Sequence, residues 1–139
     1  MLTRLLKNKK AFTLIELMIV VIIIGVLAAL AIPRFMRTST QAKQSEAKKI
    51  LKQIYICQRT FRQEKDTYTC NGQNASAGGG FPQIWIEIMQ NSRYTYSIVA
   101  DSNSFTATAS GNIDDDVTLD TWTIDEDGDL QCTSNDAAS

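Results

Sequence analysis

Apolar and polar positions follow three successive rhythms along the chain. Residues 12–33 are apolar almost without interruption, broken only by Thr13, Glu16, Gly25 and the closing Pro33. From Phe35 the apolar residues thin to one stripe. Phe35 and Ala42 begin it, and Ala47, Ile50, Ile54, Cys57 and Phe61 follow at alternating three- and four-residue steps, with Lys43, Lys48, Lys49, Lys52, Arg59 and Arg62 among them. Both patterns are helical, the first apolar all round and the second amphipathic. Together they predict one helix from Phe12 to about Arg62, ~75 Å long at 1.5 Å per residue and far longer than a ~30 Å bilayer. Its second half must therefore lie against something other than lipid.

After Phe61 the helical period fades, and "TCNGQNASAGGGFPQ" (69–83) reads as a Gly/Asn/Ser loop. From Ile84 the rhythm changes to two-residue alternation rich in β-branched and aromatic residues: "IWIEI", "YTYSIVA", "SFTATAS", "DTWTID" and "DLQC". These predict four or five antiparallel strands, with "DSN" and "DEDG" as turns and Gly128 supplying a positive φ. The expected fold class is α+β: a long N-terminal helix (12–35 membrane-spanning, 36–68 amphipathic) packed on a small antiparallel sheet head (84–139), burying Ile50, Ile54, Phe61, Trp85 and Trp122. At 139 residues the chain has room for one such head and an anchor.

Charge sharpens this picture. The formal net charge is only −1, yet residues 1–10 carry +4, residues 34–65 carry +7 and residues 66–139 carry −11. A basic start before an apolar run orients the N-terminus to the cytoplasm and sends the rest of the chain across the membrane. An acidic head disfavours nucleic acid, whose binding rests on phosphate neutralisation. There is no histidine, hence no imidazole acid/base pair, and the three cysteines lack a C-x-x-C spacing. The "GGG" at 78–80 has no following Lys-Ser/Thr and runs into Phe81-Pro82, so it is no phosphate cradle. No enzyme is expected, and no cofactor apart from a cation considered below.

The stretch "KKAFTLIELMIVVIIIGVLAALAIPRF" (9–35) resembles the N-terminus of type IV prepilins and pseudopilins, and the likeness extends over roughly residues 7–60. The tail from Tyr94 to Asp125 resembles the heads of pilin-like proteins of delta-proteobacterial lineages. The resemblance implies that residues 1–11 are a leader removed by a prepilin peptidase between Ala11 and Phe12, and that Phe12 becomes N-methylated. Ala11 stands where the family usually has glycine. The resemblance further implies a homo-oligomeric helical filament built by pilus or secretion machinery, with Gly25 and Pro33 marking a helical stretch that can loosen in the fibre. The function expected is that of a pilus subunit serving adhesion, motility or uptake. A secretion pseudopilin is the alternative, and a DNA-binding or electron-conducting fibre subunit is less favoured.

Three sets of residues carry candidate chemistry. Glu16 is a carboxylate inside an apolar run, which costs ~2.5 kcal/mol or more at mid-membrane unless compensated. The amine created at Phe12 of a neighbouring subunit could supply that compensation and so set filament register. Among the cysteines, a bond between Cys70 and Cys132 would staple the loop to the chain end, with Cys57–Cys70 as the alternative. Asp114, Asp116, Thr118, Asp120 and Asp125 approximate the 1, 3, 5, 7, 12 ligand order of calcium loops, although Leu119 stands where that loop wants glycine.

Overall fold

The computed structural model describes residues 11–114 and 116–138. The leader expected over residues 1–11 therefore lies, up to Lys10, outside the described residues. The chain divides into two compact units, residues 1–36 and 37–139. Helix α1 runs Leu14–Lys65 without a break and has Pro33 within it. Thr13 caps its start: the Thr13 hydroxyl oxygen accepts from the Glu16 amide at 3.2 Å, while Glu16 Oε2 accepts from the Thr13 amide at 2.9 Å. This is a reciprocal capping box, which satisfies amides that a helix start leaves without partners. At the other end Arg62 and Lys65 lie in the last turn, where cations suit the helix dipole.

In the first unit no described residue covers the apolar residues of α1. Leu14, Ile15, Leu27, Leu30 and Phe35 are all exposed. In the second unit α1 is amphipathic, and Gln44, Ala47, Leu51, Ile54 and Gln58 form its buried stripe. These positions repeat every three or four residues, as a single helix face requires.

Seven strands follow: β1 Gln73–Ala75, β2 Gly80–Phe81, β3 Ile86–Glu87, β4 Thr95–Ala100, β5 Phe105–Gly111, β6 Asp120–Asp125 and β7 Leu130–Ser134. The main sheet is antiparallel, ordered β1-β4-β5-β6-β7, while β2 and β3 form a separate two-stranded ribbon. Register explains the core. Tyr96 faces Ala109 and Ile98 faces Ala107 across β4–β5, and Ala109 and Ala107 face Trp122 and Ile124 across β5–β6. Small residues thus occupy the middle strand, with larger ones on either side. Ala47, Leu51 and Ile54 of α1 share one apolar cluster with Tyr96, Ile98, Phe105 and Ile124.

Three expectations need correction. The span 69–83, read as loop from its Gly/Asn/Ser content, contributes β1, which adds to the sheet edge through backbone pairing that composition does not report. "IWIEI" is not a strand of the main sheet: Pro82–Ile84 form a 3-10 turn and only Ile86–Glu87 pair, with β2. Trp85, expected in the core, is 89% exposed, because it ends that turn in the left-handed conformation (φ 56°, ψ 39°), which turns its side chain outward. Ile54 is fully buried, whereas Ile50, Phe61 and Trp122 are partly buried against the core. Leu51, Ala47 and the two glutamines form the centre of the stripe instead.

Candidate assembly surface

Phe12 lies just before α1 and is 82% exposed, next to Ala11. Glu16 follows one turn later on an exposed apolar helix. Its Oε2 also accepts from the Thr13 hydroxyl at 2.9 Å, so the carboxylate has two donors from one residue and no cationic partner among the described residues. A cap of this kind holds the acid at the helix start without neutralising it. Gly25 has open space where a Cβ would stand, so no contact within the subunit calls for glycine there. Pro33 lies in continuous helix. Residues 14–65 include a stretch long and apolar enough to cross a membrane, with none of it buried within the molecule. An apolar surface of this extent needs lipid or other protein around it.

The head carries the other predicted residues. All three thiols are free: Cys70 is buried and donates to Gln83 Oε1 at 3.4 Å, Cys132 is exposed and donates to the Ser134 carbonyl at 3.4 Å, and Cys57 is half-buried. Neither expected disulfide is formed in this structure. Burial raises the pKa of each thiol, which keeps all three protonated and weakly nucleophilic.

The five residues of the expected calcium loop are not brought together. Asp120 and Asp125 occupy opposite ends of β6, roughly 17 Å apart at about 3.3 Å per residue. Asp120 is fully buried and accepts from Tyr94 Oη (2.5 Å), Trp122 Nε1 (2.6 Å), Gln44 Nε2 (2.8 Å) and the Asp136 amide (3.1 Å). Asp125 Oδ1 instead accepts from the amides of Asp127 and Asp129, closing the β6–β7 turn. Thr118 donates its amide to Asp116. The carboxylates that do converge are Asp114, Asp116 and Asp136, with oxygens within 4.8 Å of one another. The Asp136 carboxyl is held above the usual carboxylate range, mainly by burial and further by the charges of Asp114 and Asp116, against the lowering effect of the Ile113 amide.

Periodicity did not reveal Gln44, Gln58 or Asp136. Gln44 bridges the helix to Asp120 and Asn135, and Gln58 exchanges hydrogen bonds with the Thr69 backbone in both directions. Both glutamines lie on the same helix face as Leu51 and Ile54. A polar residue in phase with an apolar stripe was the available signal.

The geometry defines a class: a small α+β head carried on a helix whose apolar half has no covering among the described residues. Comparison with known proteins gives the family. Residues 6–32 match the prokaryotic N-terminal methylation motif. The type IV major pilin protein PilA of Myxococcus xanthus is 56% identical over 62 residues, 45% of this chain and 28% of that protein. The type IV narrow pilus major component of Thermus thermophilus is 33% identical over 103 residues, covering 73% of this chain and 89% of that one. The type II secretion system core protein G of Pseudomonas aeruginosa is 34% identical over 85 residues, 57% and 60% of the respective chains. The chain belongs to the type IV pilin family. It spans little more than a quarter of the Myxococcus relative and three-fifths of the Pseudomonas one.

Proposed function

We propose that the chain is a structural subunit, not an enzyme, which polymerises through its N-terminal helix into a type IV pilus on the cell surface. The observation that carries this reading is the uncovered apolar half of α1, headed by the capped Glu16. Packing many such helices side by side buries that surface, and a filament is the assembly that does so without limit. Before assembly the same helix anchors the subunit in the inner membrane, N-terminus cytoplasmic and head periplasmic. A prepilin peptidase then removes the leader between Ala11 and Phe12, and Phe12 is methylated. These steps are supported by the match to the methylation motif.

The test is deletion and complementation. Cells carrying the gene should shed fibres on shearing, and mass spectrometry of the fibre protein should find an N-methylated terminal Phe12. A fibre-free wild type, or a mature protein cut near Ala31, would overturn the assignment. A second reading is a secretion pseudopilin, favoured by the similarity to core protein G over 60% of that protein. Loss of protein secretion with intact surface fibres in the deletion strain would select it.

A further inference from the structure

We propose that successive subunits of the filament also join head to helix. The β5–β6 loop of one copy (Asp114, Asp116, Val117, Leu119) seats on the outer face of α1 of the next (Lys49, Lys52, Ile56). The inference rests on the filament reading and adds a contact to it.

Both surfaces are visible in one subunit. Lys49, Lys52 and Ile56 stand at i, i+3 and i+7, one face of the helix, opposite the buried Ala47, Leu51, Ile54 and Gln58. Ile56 is 61% exposed, and the two lysines are exposed and form no ion pair among the described residues. The face is therefore a basic stripe around one uncovered aliphatic side chain. The β5–β6 loop is its counterpart: Val117 is 99% exposed and Leu119 50%, beside the carboxylates of Asp114 and Asp116. An aliphatic residue this exposed beside acids matches an aliphatic residue beside lysines in both charge and polarity.

Described residues of the loop also hydrogen-bond to one another. Asp114 Oδ1 accepts from the Asp116 amide at 3.0 Å, Asp116 accepts from the Thr118 amide, and Asn112 donates to the Asp116 carbonyl. Bonds already made within the loop need not be formed on docking, which lowers the ordering cost.

The occupant is a second copy because the two surfaces lie at different heights on one molecule. Lys43 Nζ donates to the Ile113 carbonyl at 2.6 Å, which ties the loop to the level of residue 43. The stripe centres on Lys52, nine residues and roughly 14 Å farther along the axis. With helices parallel, loop and stripe meet only after one copy slides along the other by about that rise. Such a contact is head-to-tail: each copy keeps one free loop and one free stripe, so the contact repeats indefinitely and does not close into a dimer.

Charge swapping in the full-length chain tests it, with fibre recovered by shearing as the readout. Lys49→Glu with Lys52→Glu leaves the core untouched. Val117→Lys alters a fully exposed side chain. Each set places like charges together or removes the attraction, and should lower fibre yield by at least ~10-fold while membrane-inserted subunit stays at wild-type level. In the combination the lysine introduced at position 117 faces the two introduced glutamates, and yield should recover at least ~3-fold over Lys49→Glu with Lys52→Glu alone. Wild-type yield from either set, or no recovery in the combination, would overturn the contact and leave the filament reading intact. A wild type without fibres would remove both.

Discussion

Asp120 accepts from four donors at once while fully buried, so the hydroxyl, indole, amide and backbone groups around it offset the cost of burying a carboxyl group. Asp120→Ala removes the acceptor of the Tyr94 hydroxyl and of the Trp122 indole and should cost about 3–5 kcal/mol, read as a fall in the urea midpoint of the full chain in detergent. Asp120→Asn, which keeps one accepting oxygen, should lose about half as much; an alanine variant of wild-type stability would mean that the network is not coupled to folding. Asp136 acts in the opposite sense. Its native pKa is raised, chiefly by burial, so between the ordinary value of about 3.9 and that raised value the folded protein binds a proton which the unfolded chain has released. Stability must fall as pH rises through this window and level off above it. Asp136→Asn should flatten that part of the stability profile, and equal slopes in the two proteins would contradict the assignment. Asp101 has the reverse sign: the amides of Asn103 and Ser104 lower its pKa, so its contribution is lost only as pH falls below about 3.9.

At the scale of elements, the ribbon β2–β3 is the most tightly constrained piece. A Cβ on Gly80 would come within 2.1 Å of the Ile86 carbonyl oxygen, which is backbone and cannot swing aside. Gly80→Ala should therefore cost ~1–3 kcal/mol in a urea melt. Between the two strands Trp85 holds φ 56° with its ring in solvent, a conformation that costs a side chain with a Cβ about 1–2 kcal/mol and glycine almost nothing. Trp85→Gly should accordingly be more stable than Trp85→Ala by about 1 kcal/mol; the opposite order would place unrecognised packing on the indole. This ribbon is where the sequence was least legible. "IWIEI" alternates like a strand, but Pro82 starts a turn just ahead of it, and the pairing that decided the matter lies between residues a few positions apart. The long helix and strands β4 and β5 could be read from the chain because their periods run for many residues and carry burial with them. The calcium loop failed for a related reason: spacing along the chain was taken as spacing around a centre, and β6 pulls Asp120 and Asp125 to opposite ends of a strand. Asp136, which does converge with Asp114 and Asp116, arrives from the last turn of the chain, beyond the reach of any local motif.

For the molecule as an assembly unit, Glu16 poses the sharpest question, since the structure gives it a local role at the start of its own helix. Glu16 closes a capping box with Thr13: its carboxylate accepts from the Thr13 amide and hydroxyl at 2.9 Å each, and its amide donates to the Thr13 hydroxyl oxygen at 3.2 Å. Its presence in an apolar run therefore has two candidate explanations, helix capping and charge pairing with the Phe12 amine of a neighbour. They separate under substitution. Glutamine accepts from the Thr13 amide and hydroxyl as glutamate does, and so preserves the capping box while deleting the charge. Valine deletes both. If the cap is what matters, Glu16→Gln should assemble normally and only Glu16→Val should suffer, by the ~1 kcal/mol typical of a lost cap, which a helix of 52 residues anchored in lipid tolerates. If the charge sets register, both variants should insert into the membrane at wild-type level and neither should yield sheared fibres, because an unpaired amine is then left in a low-dielectric filament core. We expect the second result. Fibres from Glu16→Gln at wild-type yield would reduce Glu16 to a helix cap and leave subunit register to contacts elsewhere, in which case the head-to-helix contact of Val117 with Ile56 becomes the first place to look for it.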